Sequence, residues 1–296
     1  MLKIVGLSMI SLATAFAVNA ETTGTTAGVQ SEYFYQTDAD KVQANANLGY
    51  TSQTAKTGAT KNETTKTILN LNYERGLNEM ISVGGTIGYV TGKSDTVLTT
   101  DADTKGLDDV KLFVKGQNSF AAGSSLNYGA TFNASLGKKE IKTDSESVNS
   151  GGMGLTPYVG YQMLMGSMVL GTKLQTALNV GKAKWEDSSN TPTTSYDVTG
   201  GNRSMLSVFT EGNVGTGLIG GELGWWGDNT LKVESSSGGG EVAGETGYSL
   251  TGYTRWDLTP QATLIGKLSY ESALSDHTGI DSSDTFGMNI GGRFTF

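Results

Sequence analysis

The sequence predicts an all-β fold: a closed antiparallel transmembrane β-barrel, most simply built from 12 strands. Three observations predict it. Apolar and polar residues alternate with a period of two from residue 42 to the end. The connections between alternating stretches are long and short in turn, and the polar face consists mostly of Gly, Ser, Thr, Asn and Gln. A barrel in a bilayer directs apolar residues to lipid and polar residues to its lumen, and it must close because hydrocarbon cannot satisfy an open strand edge.

Composition narrows the class of protein. Of 296 residues, 42 are Gly, 3 are Pro and none is Cys, and the charged fraction of 17% lies below the typical value of about 25% for soluble domains. The formal net charge of −8 argues against nucleic acid as a partner, because its phosphate backbone would be repelled. Without Cys the chain has no disulfides and no acylated cysteine of the lipoprotein kind.

The first twenty residues have the form of a signal peptide. Lys3 precedes the apolar stretch "IVGLSMISLATAFAV", and Val18 and Ala20 occupy the small positions before a cleavage site. A membrane anchor is the weaker interpretation, since the stretch is too short to span well. We therefore expect residues 1–20 to be removed on export, so that the mature chain begins at Glu21.

Residues 21–41 form a second segment with no single interpretation. The stretch "GVQSEYFYQ" has strand character. It predicts a periplasmic tail, a plug in the lumen or an additional strand, and residues 42–296 then form the barrel.

Each of the twelve stretches has one apolar and one polar face. The first places Ala44, Leu48 and Tyr50 on its apolar face, and the last stretch, "GMNIGGRFTF", places Met288, Ile290, Phe294 and Phe296 toward lipid and Asn289 and Arg293 toward the lumen. Ten stretches between them alternate in the same way, near residues 67–74, 81–89, 110–114, 126–134, 155–161, 168–180, 206–208, 219–225, 248–256 and 264–270.

The lengths of the connections distinguish the two ends of the barrel. Stretches such as "GLNE" and "LTP" are tight turns, whereas "KTDSESVNSGG" and "WEDSSNTPTTSYDVTGGN" are long and polar. One end of the barrel should therefore have only turns and the other large loops, as transmembrane barrels do.

With the signal peptide, the alternating strands and the terminal "GRFTF", the chain resembles the outer-membrane β-barrel proteins of Gram-negative bacteria, specifically the small porin-like channels. The resemblance matches no individual subfamily. It implies location in the cell outer membrane, contact with outer-membrane lipid and lipopolysaccharide, short periplasmic turns and long extracellular loops. It also implies that Phe294 and Phe296 are read by the barrel-insertion machinery, and that small hydrophilic solutes or ions cross passively, with no enzyme activity and no cofactor.

Parity along the strands assigns charged residues to the lumen. A charge inside a barrel must be solvated or paired, so the nearly balanced signs allow either a salt-bridged, plugged interior or a wet pore. Barrels of about 8 strands are filled by side chains and those of about 16 leave a channel; small inward residues such as Asn127, Gly129 and Thr131 favour a narrow water-filled pore here. The lumen-facing charges are Lys66, Lys111, Lys115, Lys173, Arg255, Lys267, Arg293, Glu74, Asp109, Glu211, Glu222 and Glu271.

Two alternatives compete with a channel. A closed structural barrel would act through its loops, for example residues 182–202, by binding a phage, a host or a neighbouring protein. An outer-membrane hydrolase would use His277, the sole histidine, but a nucleophile or activated water needs an oriented base and a convergent partner, and the sequence singles out none. The stretch "DADTKG" lacks a calcium ligand set, because Lys105 stands where an oxygen ligand is needed.

Overall fold

A computed structural model describes residues 31–57, 60–95, 102–120, 123–189, 192–236, 238–274 and 282–296. Nothing in these ranges forms a helix long and apolar enough to cross a membrane. The signal-peptide prediction for residues 1–20 and the candidate His277 lie outside the described residues.

Nineteen strands form one sheet within the described ranges. In chain order they are β1 Val42–Thr57, β2 Thr60–Gly76, β3 Ile81–Asp95, β4 Ala102–Leu107, β5 Val110–Ser119, β6 Ser124–Ala134, β7 Lys139–Ile141, β8 Ser145–Glu146, β9 Met153–Met165, β10 Met168–Val180, β11 Ala183–Asp187, β12 Thr194–Gly200, β13 Arg203–Val214, β14 Gly217–Asp228, β15 Leu231–Ser235, β16 Gly238–Val242, β17 Thr246–Thr259, β18 Ala262–Ala273 and β19 Ser282–Thr295.

Twelve of these strands form the barrel wall: β1, β2, β3, β5, β6, β9, β10, β13, β14, β17, β18 and β19. Each pairs antiparallel with the next, and β1 pairs with both β2 and β19, so the ladder closes on itself. The predicted closed 12-strand antiparallel barrel is confirmed.

The closing seam reaches the last residue of the chain. Ala44 lies opposite Phe294, and Tyr50 lies opposite Met288. The backbone N–H of Phe296 donates to the carbonyl of Val42 at 2.8 Å, and the N–H of Val42 donates to the carbonyl of Phe296 at 3.1 Å. The terminal phenylalanine is therefore part of the seam.

The barrel has an apolar outside and a polar inside. Leu48, Leu69 and Ile87 are exposed on the outer face, as are the lipid-facing residues predicted for the last strand, Met288, Ile290, Phe294 and Phe296. Buried side chains of the wall are largely polar, including Gln43, Asn47, Ser82, Ser125, Ser207 and Arg293. This inverted distribution suits lipid outside and a polar lumen.

The two ends of the barrel differ in their connections. Residues 77–80, 166–167, 215–216 and 260–261 make turns at the end where Val42 meets Phe296, which we call the turn end, and β5 and β6 are joined at this end too. The opposite, loop end carries the long connections between β6 and β9, between β10 and β13, and between β14 and β17. The sequence pattern predicted a long first connection there, but only residues 58–59 separate β1 from β2. The strands continue through "TSQTAKT" and "TKNETTK", whose threonines favour strands without supplying an apolar face.

The long connections of the loop end fold into an outer tier of short strands. β11 pairs with β12 and β12 with β15, and they bury Trp185, Val198, Leu231 and Val233 on one face. The indole N–H of Trp185 donates to the carbonyl of Ser150 at 3.0 Å. Much of the predicted loop 182–202 is therefore strand with a small apolar core.

An exposed charge cluster lies on this tier. Lys182 Nζ lies 3.0 Å from Asp197 Oδ2, and Lys184 bonds the other carboxylate oxygen. Hydrogen bonds from Lys184 and Lys182 hold the pKa of the Asp197 carboxyl below its ordinary value. Exposed pairs of this kind add little stability.

Deletion of Phe296 should impair barrel assembly, because it removes two backbone hydrogen bonds of the seam together with an exposed aromatic side chain. The fraction of protein that migrates as a folded barrel on gels before boiling should fall several-fold. Phe296→Leu, which keeps the backbone pairing and an apolar side chain, is the control and should assemble. Normal assembly of the deletion variant would contradict the terminal residue's role in closure.

Candidate functional site in the barrel interior

Part of the N-terminal segment lies inside the barrel. Residues 31–37, which we call the lumen segment, have buried side chains at Glu32, Tyr33 and Thr37. They contact inward-facing residues of β2, β5, β13, β14, β17 and β19 near the turn end. The chain then joins the wall, where Ala39 bridges Gly76 and the N–H of Asp40 donates to the Gly76 carbonyl at 3.2 Å.

Two aromatic rings of the lumen segment pack against the wall. Tyr33 stacks on Phe209 with ring centroids 4.0 Å apart, and Phe34 meets the same ring edge-on at 5.4 Å. Phe34 fits because Gly160 has no side chain: a Cβ there would lie 2.2 Å from the Phe34 ring. Gly171 makes room for Phe209 in the same way. The wall is therefore shaped to receive these rings.

The carboxylate of Glu32 is held by two guanidinium groups. Arg293 Nη2 bonds Glu32 Oε1, Arg293 Nη1 donates to Oε2 at 3.3 Å, and Arg255 Nη1 lies 3.5 Å from Oε2. The Arg293 guanidinium also lies 4.1 Å from the centroid of the Tyr35 ring. Only 3% of the Glu32 side chain and 2% of the Arg293 side chain are exposed. Loss of one partner from so buried a pair is strongly destabilising, because the other charge is left uncompensated.

Two wall carboxylates bind the beginning of the lumen segment. Glu211 accepts hydrogen bonds from the backbone N–H of Glu32 at 2.8 Å and of Tyr33 at 3.3 Å, and from the Tyr253 hydroxyl at 3.0 Å. Glu222 accepts from the Tyr33 hydroxyl. Lys173 lies over the Tyr33 ring, with Nζ 4.6 Å from its centroid. These bonds satisfy buried backbone groups that have no strand partner.

A third carboxylate binds the other end of the segment. Glu74 accepts from the N–H of Thr37 at 3.0 Å, from Ser82 Oγ at 2.6 Å and from Lys115 Nζ at 2.8 Å. Lys115 also donates to the carbonyl of Tyr35 at 3.3 Å. The segment is thus fixed at both ends by charged residues of the wall.

Of the remaining predicted lumen charges, Lys267 lies near enough to Glu222 and Lys173 for their charges to interact. Lys111 Nζ pairs with Asp108 at 3.1 Å, and the carboxylate of Asp109 accepts from the N–H of Ser150. Lys66 and Lys267 are half-buried on the inward parity of β2 and β18.

A second charged layer lies nearer the loop end. Arg203 Nε and Nη2 donate to both carboxylate oxygens of Asp228 at 2.7 and 2.9 Å, and Nη1 donates to Glu271 at 2.7 Å. The guanidinium lies 3.9 Å from the centroid of the Trp226 ring. Such a bidentate pair has a fixed geometry.

Sequence reasoning missed several of these groups. It left the position of the lumen segment open and did not single out Arg203, Phe209 or Tyr253. The parity that assigned Glu211 and Arg255 to the lumen also assigns Phe209 and Tyr253 there, so that signal was available. Of the inward residues expected to leave a narrow pore, Gly129 has its space taken by the Tyr158 ring, which a Cβ at Gly129 would meet at 2.6 Å. The lumen segment lies in the interior as well.

Within the described ranges, no three His, Cys, Asp or Glu residues lie close enough together to hold a metal ion. The site is instead a charged and aromatic interior with a segment of the same chain bound in it.

The fold of this chain is similar to those of solved outer-membrane proteins. No family model matches the chain, and no curated protein matches it by sequence. The COG4313 outer membrane channel from Pseudomonas putida F1 matches with a TM-score of 0.64 at 11% sequence identity, covering 87% of this chain and 96% of that one. The chain has the fold of an outer-membrane β-barrel channel.

Two further solved structures share the fold. The transport unit of the autotransporter AIDA-I from Escherichia coli matches with a TM-score of 0.55 at 13% identity, over 97% of this chain and 98% of that one. The TodX monoaromatic hydrocarbon channel, as a deltaS2 mutant, matches with a TM-score of 0.50 at 11% identity, over 88% and 91%. At these identities the likeness establishes a common fold and not a common function.

Substitution Phe209→Ala should loosen the lumen segment, because it removes both ring contacts to Tyr33 and Phe34. The chain has no Cys, so Ser31→Cys provides a single reporter that is buried when the segment is docked. Each ring contact contributes about 0.5–1.5 kcal/mol, and about 1.4 kcal/mol corresponds to a factor of ten. Maleimide labelling at residue 31 should therefore accelerate about tenfold.

The matched control is Phe286→Ala, which removes a phenylalanine from the exposed outer face. The labelling rate at residue 31 in this variant should equal that of the chain that carries Ser31→Cys alone. Equal rates in both variants would show that the Phe209 ring does not hold the segment.

Proposed function

We propose that this protein is a passive channel of the bacterial outer membrane for small hydrophilic solutes or ions, with the lumen segment restricting its bore. The observation that carries this proposal is the composition of the interior. The inner face is polar and charged while the outer face is apolar, and the wall encloses more space than its own side chains fill, since residues 31–37 fit inside it. An interior of this kind holds water wherever the segment does not fill it.

The residues along the proposed path are those that parity assigned to the lumen. They include charged groups of both signs, and water or permeants would solvate those not paired within the protein. The path would be lined by Lys111, Lys115, Lys173, Glu211, Glu222, Arg255, Lys267 and Arg293.

The barrel would lie in the outer membrane, in contact with lipid and with the insertion machinery. The apolar outer face would contact outer-membrane lipid, with lipopolysaccharide in the outer leaflet, and Phe294 and Phe296 would be read by the insertion machinery. Passive permeation requires no catalysis and no cofactor.

The docked lumen segment favours a second candidate, a closed barrel that acts through its outer tier. Glu32 and Tyr33 are nearly inaccessible to solvent. If that arrangement is permanent, the barrel is a rigid support, and residues 182–202 would bind a partner at the cell surface.

Replacement of residues 31–37 by a Gly/Ser stretch of equal length distinguishes the two candidates. The substituted chain should show discrete conductance steps in planar bilayers that are several-fold larger than those of the unmodified protein, because the wall remains and the bound segment does not. Folding of both chains is checked by gel migration before and after boiling.

A folded chain that conducts in neither form would contradict the channel and favour the closed barrel. Loss of surface binding on deletion of residues 182–202, with conductance unchanged, would favour the second candidate independently.

A further inference from the structure

We propose that Arg255 and Arg293 form a binding site for the carboxylate group of a permeating solute, and that the carboxylate of Glu32 occupies this site while the lumen segment is docked. The inference rests on the proposed channel function and names the class of solute that the channel would favour.

The two arginines converge on one carboxylate from separate strands. Arg255 belongs to β17 and Arg293 to β19, with β18 between them. Arg293 offers two nitrogens to the two oxygens of Glu32, and Arg255 Nη1 lies 3.5 Å from Oε2. A planar guanidinium matches a carboxylate in this way better than an ammonium group does. The site therefore recognises a carboxylate by shape as well as by charge.

Both arginines retain unused donors. Their Nε atoms are buried and have no hydrogen-bond acceptor among the described residues. A solute carries acceptors that Glu32 alone does not provide, so a ligand could use these donors while it replaces the side chain.

When the lumen segment leaves the interior, the two guanidinium groups lose the carboxylate that neutralises them. Within the described part of the chain, Glu32 is the one acid paired with Arg293, and Arg255 has only the half-exposed Asp257 besides, at 3.2 Å. A buried cation without a counter-charge is costly. An anion from solution is the natural replacement, and local positive potential would concentrate it there.

The other positive charges around the segment have acidic partners on the wall itself. Lys115 pairs with Glu74 at 2.8 Å. Lys173 lies near enough to Glu222 for their charges to interact. When Glu32 leaves, the uncompensated positive charge around the segment is thus that of Arg255 and Arg293, which favours binding of an anion at this point of the lumen.

The probe follows from the two side chains that occupy the site. 4-Hydroxyphenylacetate carries a carboxylate, as Glu32 does, and a phenol, as Tyr33 does; 4-hydroxyphenylacetamide has the same shape without the charge. In the full chain with residues 31–37 replaced by Gly/Ser, we expect the acid to bind at least about tenfold more tightly than the amide, since one charge-assisted hydrogen bond accounts for such a factor. Calorimetric titration measures binding, and block of the ion current measures it independently in bilayers.

Arg255→Gln combined with Arg293→Gln should abolish the preference for the acid. The matched control, Lys41→Gln combined with Arg75→Gln, removes two positive charges that are exposed near the same end of the barrel, and it should keep the preference. In the otherwise unmodified chain, Glu32→Gln should raise affinity for the acid, because the competing carboxylate is gone.

Equal binding of acid and amide, or a preference unchanged in the double arginine variant, would overturn the site while leaving a conducting channel intact. Arginine-dependent binding of the acid in a barrel that never conducts would support the site and contradict the channel. The two proposals therefore fail separately.

Discussion

Closure of the hydrogen-bonded ladder between β1 and β19 is the constraint on which the remaining structure depends. Hydrocarbon offers no hydrogen bonds to an open edge, so every strand of a spanning sheet needs two neighbours. The seam runs from Lys56 opposite Ser282 to Gln43 opposite Thr295, and the Val42–Phe296 pair completes it. Once the sheet is closed, alternate side chains must face lipid or lumen, and the distribution of apolar and polar residues follows.

The closed wall creates an interior that cannot be an ordinary apolar core. Its inward residues are mostly amides, hydroxyls and charges, and such groups are stable only when hydrogen-bonded or hydrated. The lumen segment contributes backbone donors to Glu211 and Glu74, a carboxylate to Arg293 and aromatic rings to Phe209. One short stretch therefore supplies partners to several strands at once, to acids and bases alike.

The sequence was sufficient for the features that depend on local period. Strand number, the orientation of Met288 and Ile290, and the inward parity of Glu211, Arg255 and Arg293 all follow from a repeat of two residues. Strand ends were not predictable in the same way, because β1 and β2 continue through threonine-rich stretches that lack an apolar face. Pairing of Glu32 with Arg293 joins positions far apart in the chain, and the aromatic residues of "SEYFYQ" have strand character, so no local signal assigned this stretch to the interior.

The turn at Asp40 has a consequence for biogenesis. Asp40 adopts a left-handed backbone conformation with φ of 59°, which aspartate tolerates in tight turns. The Asp38 carbonyl accepts from the N–H of Lys41 at 3.1 Å, and the chain passes directly from the interior into β1. Because β1 is also the strand that joins β19, the residues before it must be on the inner side when the first and last strands meet, or else thread through an open end afterwards. Whether the lumen segment enters the interior before or after β1 pairs with β19 is therefore a defined step in the folding of this barrel.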